Sequence, residues 1–169
     1  MKEPAVLLLS PHDSVWKHVR PHLKGINVIL GESKGAAPDA NFAVVGHAGS
    51  GRVAQQMALD GGARAMVLMG CDALPGREHE LGLLEIPVLL LWGEDDIVHP
   101  VEIAYHLDQV FHRSVLALVP GCGNDLPEQE PDTVGAVIAD FLRTQWLGLH
   151  HGHQHGPITI PIDRPGEQR

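Results

Sequence analysis

Six short apolar runs, none containing a charged residue, constrain this chain more than any other feature: Ala5 to Leu9, Asn27 to Leu30, Phe42 to Val45, Ala65 to Met69, Val88 to Trp92 and Val115 to Val119. A strand with one face in water alternates apolar and polar residues, whereas a strand covered on both faces is apolar throughout. Helical patterns separate several of the runs. Val53, Met57 and Ala58 form a stripe after a Gly-Ser-Gly turn, and Ile103, Leu107, Val110 and Phe111 recur at helical spacing after Pro100. Val134, Val137, Ile138, Phe141 and Leu142 do the same after Asp132, a residue suited to capping a helix. Strands alternating with helices predict an α/β fold, a mainly parallel sheet flanked by helices on both faces and joined by right-handed crossovers. Gly31 to Ala40 carries no helical stripe, so a loop is expected there.

A chain of 169 residues that is 44% hydrophobic can bury one core, assigned here to residues 1–148. Beyond Gly148 the histidines and the Pro-rich stretch behind them lack any helical period, which predicts a His-rich flexible C-terminal tail over 149–169. Lys and Arg number 12 against 21 Asp and Glu, a formal charge of -9 that repels nucleic-acid phosphates and anionic lipid. Nucleic acid and membrane are therefore not expected as partners. The longest apolar run, Ile86 to Trp92, is too short for a bilayer span, and Met1-Lys2-Glu3-Pro4 does not open a signal peptide. A cytoplasmic location is expected, with Cys71 and Cys122 kept as thiols. Protonating the 12 histidines would carry the net charge past zero, so surface charge is expected to vary with pH.

In a parallel sheet, ligands bind beyond the C-terminal ends of the strands. Gly46-His47-Ala48-Gly49-Ser50-Gly51 falls at such an end and nearly spells G-x-S-x-G, the bend from which a nucleophile projects, with a methyl group at the third position. Gly93 to Pro100, carrying Asp96 and His99, and Pro120 to Pro127, carrying Asn124, follow two further strands.

In wording and order these segments resemble the α/β-hydrolase superfamily. The turn around Ala48 resembles its nucleophile turn, IPVLLLWGEDDIVHP its acid loop and LALVPGCGNDLPEQEPDTVGAVIADFL its histidine loop, while VLLLSPHDSVW resembles its first core strand and oxyanion loop. The resemblance covers Pro4 to Leu147. It implies an α/β-hydrolase-like sheet with a minimal cap, reduced to about Cys71 to Glu85. It also implies that Ala48, Asp96 and Asn124 are degenerate triad positions. Ala48 stands where the family has Ser, Cys or Asp, Asn124 where it has His, and Ser10-Pro11 where it has His-Gly. A methyl forms no covalent intermediate, and an amide shuttles no proton near neutral pH. The implied function is that of a pseudo-hydrolase binding a small molecule or a protein partner at the strand-end rim, through Ser10, His12, His47, Ala48, Gly49, Ser50, Cys71, Asp96 and Asn124.

Two other readings stand beside it. One is an enzyme, a hydrolase or lyase, working with non-triad groups such as Asp96 with His99 or His12. Ser50, in the first helical turn, reads as a cap more readily than as a substitute nucleophile, and the N–H groups of Gly49, Ser50 and Gly51 offer an anion cradle. Cys71 and Cys122 with His12, His47 and His99 could make a rim thiol or zinc site, although no CxxC spacing supports one. The other reading is a metal-handling accessory protein, in which His150, His151, His153 and His155 bind a divalent transition metal (Ni, Zn, Co or Cu). Finally, a reduced cap is expected to expose Leu74, Leu81, Leu83 and Leu84 and so to favour a homo-oligomer.

Overall fold

The computed structural model describes residues 4–31, 38, 41–146 and 157–162. All six apolar runs are strands: β1 (Ala5–Leu9), β2 (Asn27–Gly31), β3 (Phe42–His47), β4 (Ala63–Met69), β5 (Val88–Gly93) and β6 (Ser114–Val119). With β7 (Ile158–Thr159) they form a seven-stranded sheet in the order β2-β1-β3-β4-β5-β6-β7, every neighbouring pair parallel. The helices are α1 (Ser50–Leu59), α2 (Glu78–Gly82), α3 (Val101–Val110), α4 (Leu126–Gln129) and α5 (Pro131–Phe141), and a single π turn, Leu142–Trp146, follows α5. Two 3-10 turns, Asp13–Trp16 and Arg20–Leu23, lie between β1 and β2.

The unbroken apolarity of the strands has a direct structural counterpart. Successive side chains point to opposite faces, and each face of this sheet is covered. Val6 and Leu8 pack with Trp16, Val134 and Ile138 on one face, while Ala5, Leu7 and Leu9 pack with Ala54, Ala58, Ala104 and Leu107 on the other. Truncating a fully buried leucine such as Leu8 to Ala costs about 2–5 kcal/mol in such a core.

Three expectations need correction. Asp132 does not cap α5: the helix starts one residue earlier at Pro131, with Glu130 at the cap, because Pro has no N–H to lose and its fixed φ suits the first helical position. The Asp132 carboxylate instead faces the His22 imidazole at 2.9 Å. The tail is not wholly flexible, since Ile158–Thr159 pairs with β6, the Ile160 N–H donates to the Leu118 carbonyl at 2.9 Å, and Ile160 and Ile162 pack on the core. The expected leucine patch also shrinks to Leu83, which is 66% exposed; Leu81 is buried, and Leu74 and Leu84 pack against the α1–α3 face. The short helix α2 turns Leu81 inward, as an amphipathic turn must.

The expected loop after Gly31 and the histidines at 150, 151, 153 and 155 lie outside the described residues, Pro38 apart. No helix among the described residues is long and apolar enough to cross a membrane.

Candidate functional site

β3 ends at His47 and α1 starts at Ser50, so the chain reverses within Ala48 and Gly49. Ala48 adopts φ 51°, a left-handed conformation that costs a residue with a Cβ about 1–2 kcal/mol. Two hydrogen bonds hold it there: the Ala48 N–H donates to the Met69 carbonyl and the Gly51 N–H to the Ala48 carbonyl, both at 3.0 Å. Glycines make the bend possible. A Cβ on Gly46 would stand 2.8 Å from the Ala54 Cβ and 2.9 Å from the Ser50 carbonyl oxygen, and one on Gly51 would collide with Cys71. The expected anion cradle is thus incomplete, because the Gly51 N–H is already bonded within the turn. Gly49 occupies the capping position, and Ser50 is the first helical residue, 1% exposed.

His47 is a buried tie between three segments. Its Nε2–H donates to the Asn124 carbonyl at 2.7 Å, and since a carbonyl only accepts, Nδ1 must be the acceptor for the Ser10 hydroxyl at 3.2 Å. Burial holds the imidazole below its ordinary pKa, against the opposing pull of the Asn124 hydrogen bond and of the charges of Asp125, Glu128 and Asp96. Trp16 meets it edge to face, with ring centres 6.4 Å apart. His12, by contrast, is exposed, and its backbone N–H reaches the Ser10 hydroxyl only at 3.5 Å.

Asp96 is 4% exposed at the end of β5. Its Oδ1 accepts the backbone N–H groups of Val98 at 2.9 Å and His99 at 2.8 Å, and its Oδ2 accepts from Asn124 Nδ2 at 3.0 Å. That amide nitrogen also stands 3.3 Å from the Gly70 carbonyl and 2.9 Å from His99 Nδ1. The fit is close: a Cβ on Gly70, at φ 49°, would lie 2.7 Å from Asn124 Nδ2 and 3.0 Å from Asp96 Oδ2. The two loops are also tied through their backbones, by Glu94 N–H to the Val119 carbonyl at 3.1 Å and Asp95 N–H to the Cys122 carbonyl at 2.9 Å. The indole N–H of Trp92 holds the far end of the acid loop by donating to the His99 carbonyl at 2.8 Å.

The strand ends therefore bring Asp96, His99 and Asn124 together, but not as a direct carboxylate–imidazole pair. The Asn124 amide bridges them. His99 Nε2 turns toward Asp72 Oδ2 at 3.8 Å, and Arg52 Nη2 approaches the same oxygen at 3.3 Å. Sequence reasoning missed both Asp72 and Arg52, although Asp72 lies three residues past β4, where a rim residue belongs. It also missed Gln55, a buried amide on α1 that donates to the Asp72 carbonyl at 2.9 Å and accepts the Leu74 N–H at 2.8 Å, fixing this loop to the helix.

The rim thiol expectation fails for Cys71. The side chain is fully buried, and burial, followed by the nearby Asp72 charge, pushes the thiol far above its ordinary pKa despite Arg52. A thiol buried in this way favours the uncharged form, and Cys71 packs against Gly51. No group of three or more potential ligands able to hold a metal ion occurs among the described residues. Beside the buried cluster the rim presents Ile97 at 92% exposure and Val98 at 63%.

No family model matches the chain. A stretch of 64 residues, 38% of this chain, is 36% identical to the uncharacterized hydrolase YugF of Bacillus subtilis (strain 168), and the match spans 23% of that protein's length. Among solved structures, the chain is similar to MGS-MChE2, an α/β hydrolase from a sediment metagenome of the lagoon of Mar Chica, Morocco, with a TM-score of 0.74 at 15% identity over 85% of this chain and 91% of that one. A predicted CIB-like hydrolase from Thermoplasma acidophilum superimposes with a TM-score of 0.74 at 15% identity over 84% and 86%. The serine hydrolase CarC, involved in carbazole degradation, gives 0.71 at 16% identity over 83% and 91%.

Proposed function

From the premise that this chain has the α/β-hydrolase fold, we propose that it is a pseudo-hydrolase that binds a small molecule or a protein partner at the strand-end rim. One observation carries the reading: Ala48 holds the left-handed bend of a nucleophile turn with only a methyl group to present. The neighbouring chemistry agrees with it. Asp96 accepts from two backbone N–H groups and the Asn124 amide, and an amide there orients the acid without taking up a proton. His47 and Ser10 are spent on each other and on the Asn124 carbonyl, beneath the surface. The accessible rim includes Ile97, Val98 and His12, side chains suited to contact.

His99 favours a second reading, an enzyme with non-triad groups. Set between the Asn124 amide and the Asp72 carboxylate, it is an oriented imidazole at the mouth of the site. The test is turnover on a panel of esters, amides and lactones by the unmodified protein. The pseudo-hydrolase predicts no burst and no steady-state rate above buffer, with weak esterase activity emerging only in Ala48→Ser combined with Asn124→His, because nucleophile and base act as a unit. Turnover that survives stringent purification and is lost in His99→Gln would replace it with the enzyme.

A further inference from the structure

The sheet has two unequal edges. β7 is two residues long, a protected edge, whereas β2 runs for five residues and, among the described residues, is paired with β1 alone. Its sequence, Asn27-Val28-Ile29-Leu30-Gly31, holds no charge and no proline, and Leu30 is 38% exposed. An open edge of this kind presents a row of unpaired backbone donors and acceptors and invites another strand unless charge or bulges prevent it.

Alongside β2 lies an open cavity of about 630 Å3 whose apolar lining includes Leu23, Ile26 and Val28 and whose charged lining is Lys17, Arg20 and Lys24 against a single Asp13. Among the described residues, none of these three cations forms an ion pair. In a chain of formal charge -9 this is a local reversal of sign. We propose that β2 is a docking edge for an extended, acidic segment of a partner protein, which adds a strand to the sheet and sets carboxylates against Lys17, Arg20 and Lys24. Backbone hydrogen bonds would supply affinity; the alternation of side chains along an added strand would supply specificity, acidic residues on the face that holds the cations with Val28 and Leu30, and apolar residues on the opposite face beside Ile29. A second copy of this chain fits poorly, since two such edges would bring the same three cations face to face.

The probe is a fluorescein-labelled octapeptide alternating Glu and Val, with one alternating Lys and Val as its control, read by anisotropy on the full chain. Saturable binding of the acidic peptide is expected, weakening with salt, and falling about tenfold or more in Lys17→Glu/Arg20→Glu/Lys24→Glu. Amide exchange at residues 27–31 should slow in the complex. If the triple variant does not fold, salt dependence and the exchange map of the unmodified chain decide. Equal binding of the Lys peptide, or binding without protection of β2, overturns the proposal. So does sedimentation of the free chain as a dimer whose exchange protection falls on β2, which would give the edge to a second copy.

Discussion

Replacing Asp96 by Ala separates the buried carboxylate's structural task from any chemical one. Three donors lose their acceptor: the N–H groups of Val98 and His99 and the Asn124 amide. A buried donor left unsatisfied costs about 1–3 kcal/mol. The full sum is not expected, because the Asn124 amide keeps the Gly70 carbonyl and His99 Nδ1 within reach, and Val98 lies at an exposed stretch that water can enter. A loss of about 2–4 kcal/mol follows, a large share of the 5–15 kcal/mol typical of a domain, though not all of it. Asp96→Asn should lose only about 1 kcal/mol, since its carbonyl still serves both backbone N–H groups while its amide faces that of Asn124. Urea denaturation should show the midpoint falling in the order unmodified, Asn, Ala, at constant slope, with faster amide exchange at Val98 and His99 in the Ala variant. An Ala variant as stable as the Asn variant would refute the assignment of Asp96 as the tie that orders the loop.

Gly46→Ala should destabilise the protein by about 1–3 kcal/mol, because its Cβ meets backbone atoms of the next turn rather than a movable side chain; an unchanged melting temperature would contradict the packing at the bend. His47 has a folded-state pKa below its ordinary 6.5, so the unfolded chain binds more protons as pH falls. The stability it contributes is complete above that value and is lost as pH drops through it toward the folded pKa, by at most about 1.4 kcal/mol per pH unit for one proton. His47→Gln should therefore flatten the acid side of the stability profile, and an identical profile would count against a neutral, buried imidazole. If His150, His151, His153 and His155 form a metal site, converting them to Ala should abolish calorimetric binding of nickel or zinc without moving the melting temperature; retained affinity would remove the tail as a metal site. Deleting everything after Gly148, in contrast, should lower the melting temperature because it removes β7 and the packing of Ile160 and Ile162.

The strands were legible because double-sided burial leaves an apolar run that few other structures produce. β7 was not, since two residues in a Pro-rich stretch carry no period and their pairing depends on the edge that β6 happens to offer. The start of α5 hinged on Pro131, whose preference for the first helical position outweighs a capping Asp one residue later. At the site, position along the chain sufficed to place Ala48, Asp96 and Asn124 beyond the C-terminal ends of β3, β5 and β6. It could not order their partners. That the amide rather than the imidazole touches Asp96, and that His99 faces Asp72 from another loop, are matters of side-chain direction that no local pattern encodes.

The Asn124 side chain carries two amide hydrogens, yet in the tautomer that leaves His99 Nδ1 unprotonated its nitrogen stands within reach of three acceptors: Asp96 Oδ2, His99 Nδ1 and the Gly70 carbonyl. The cluster is one hydrogen short, whichever two contacts are made at a given moment. A third hydrogen would have to come from outside the amide, from a hydroxyl, ammonium or amide group. Ligands rich in donors meet that shortage, while an ester or ketone, with only lone pairs to offer, aggravates it. A donor group set against this cluster would complete it, whereas a carbonyl oxygen would compete for the two hydrogens that Asn124 has.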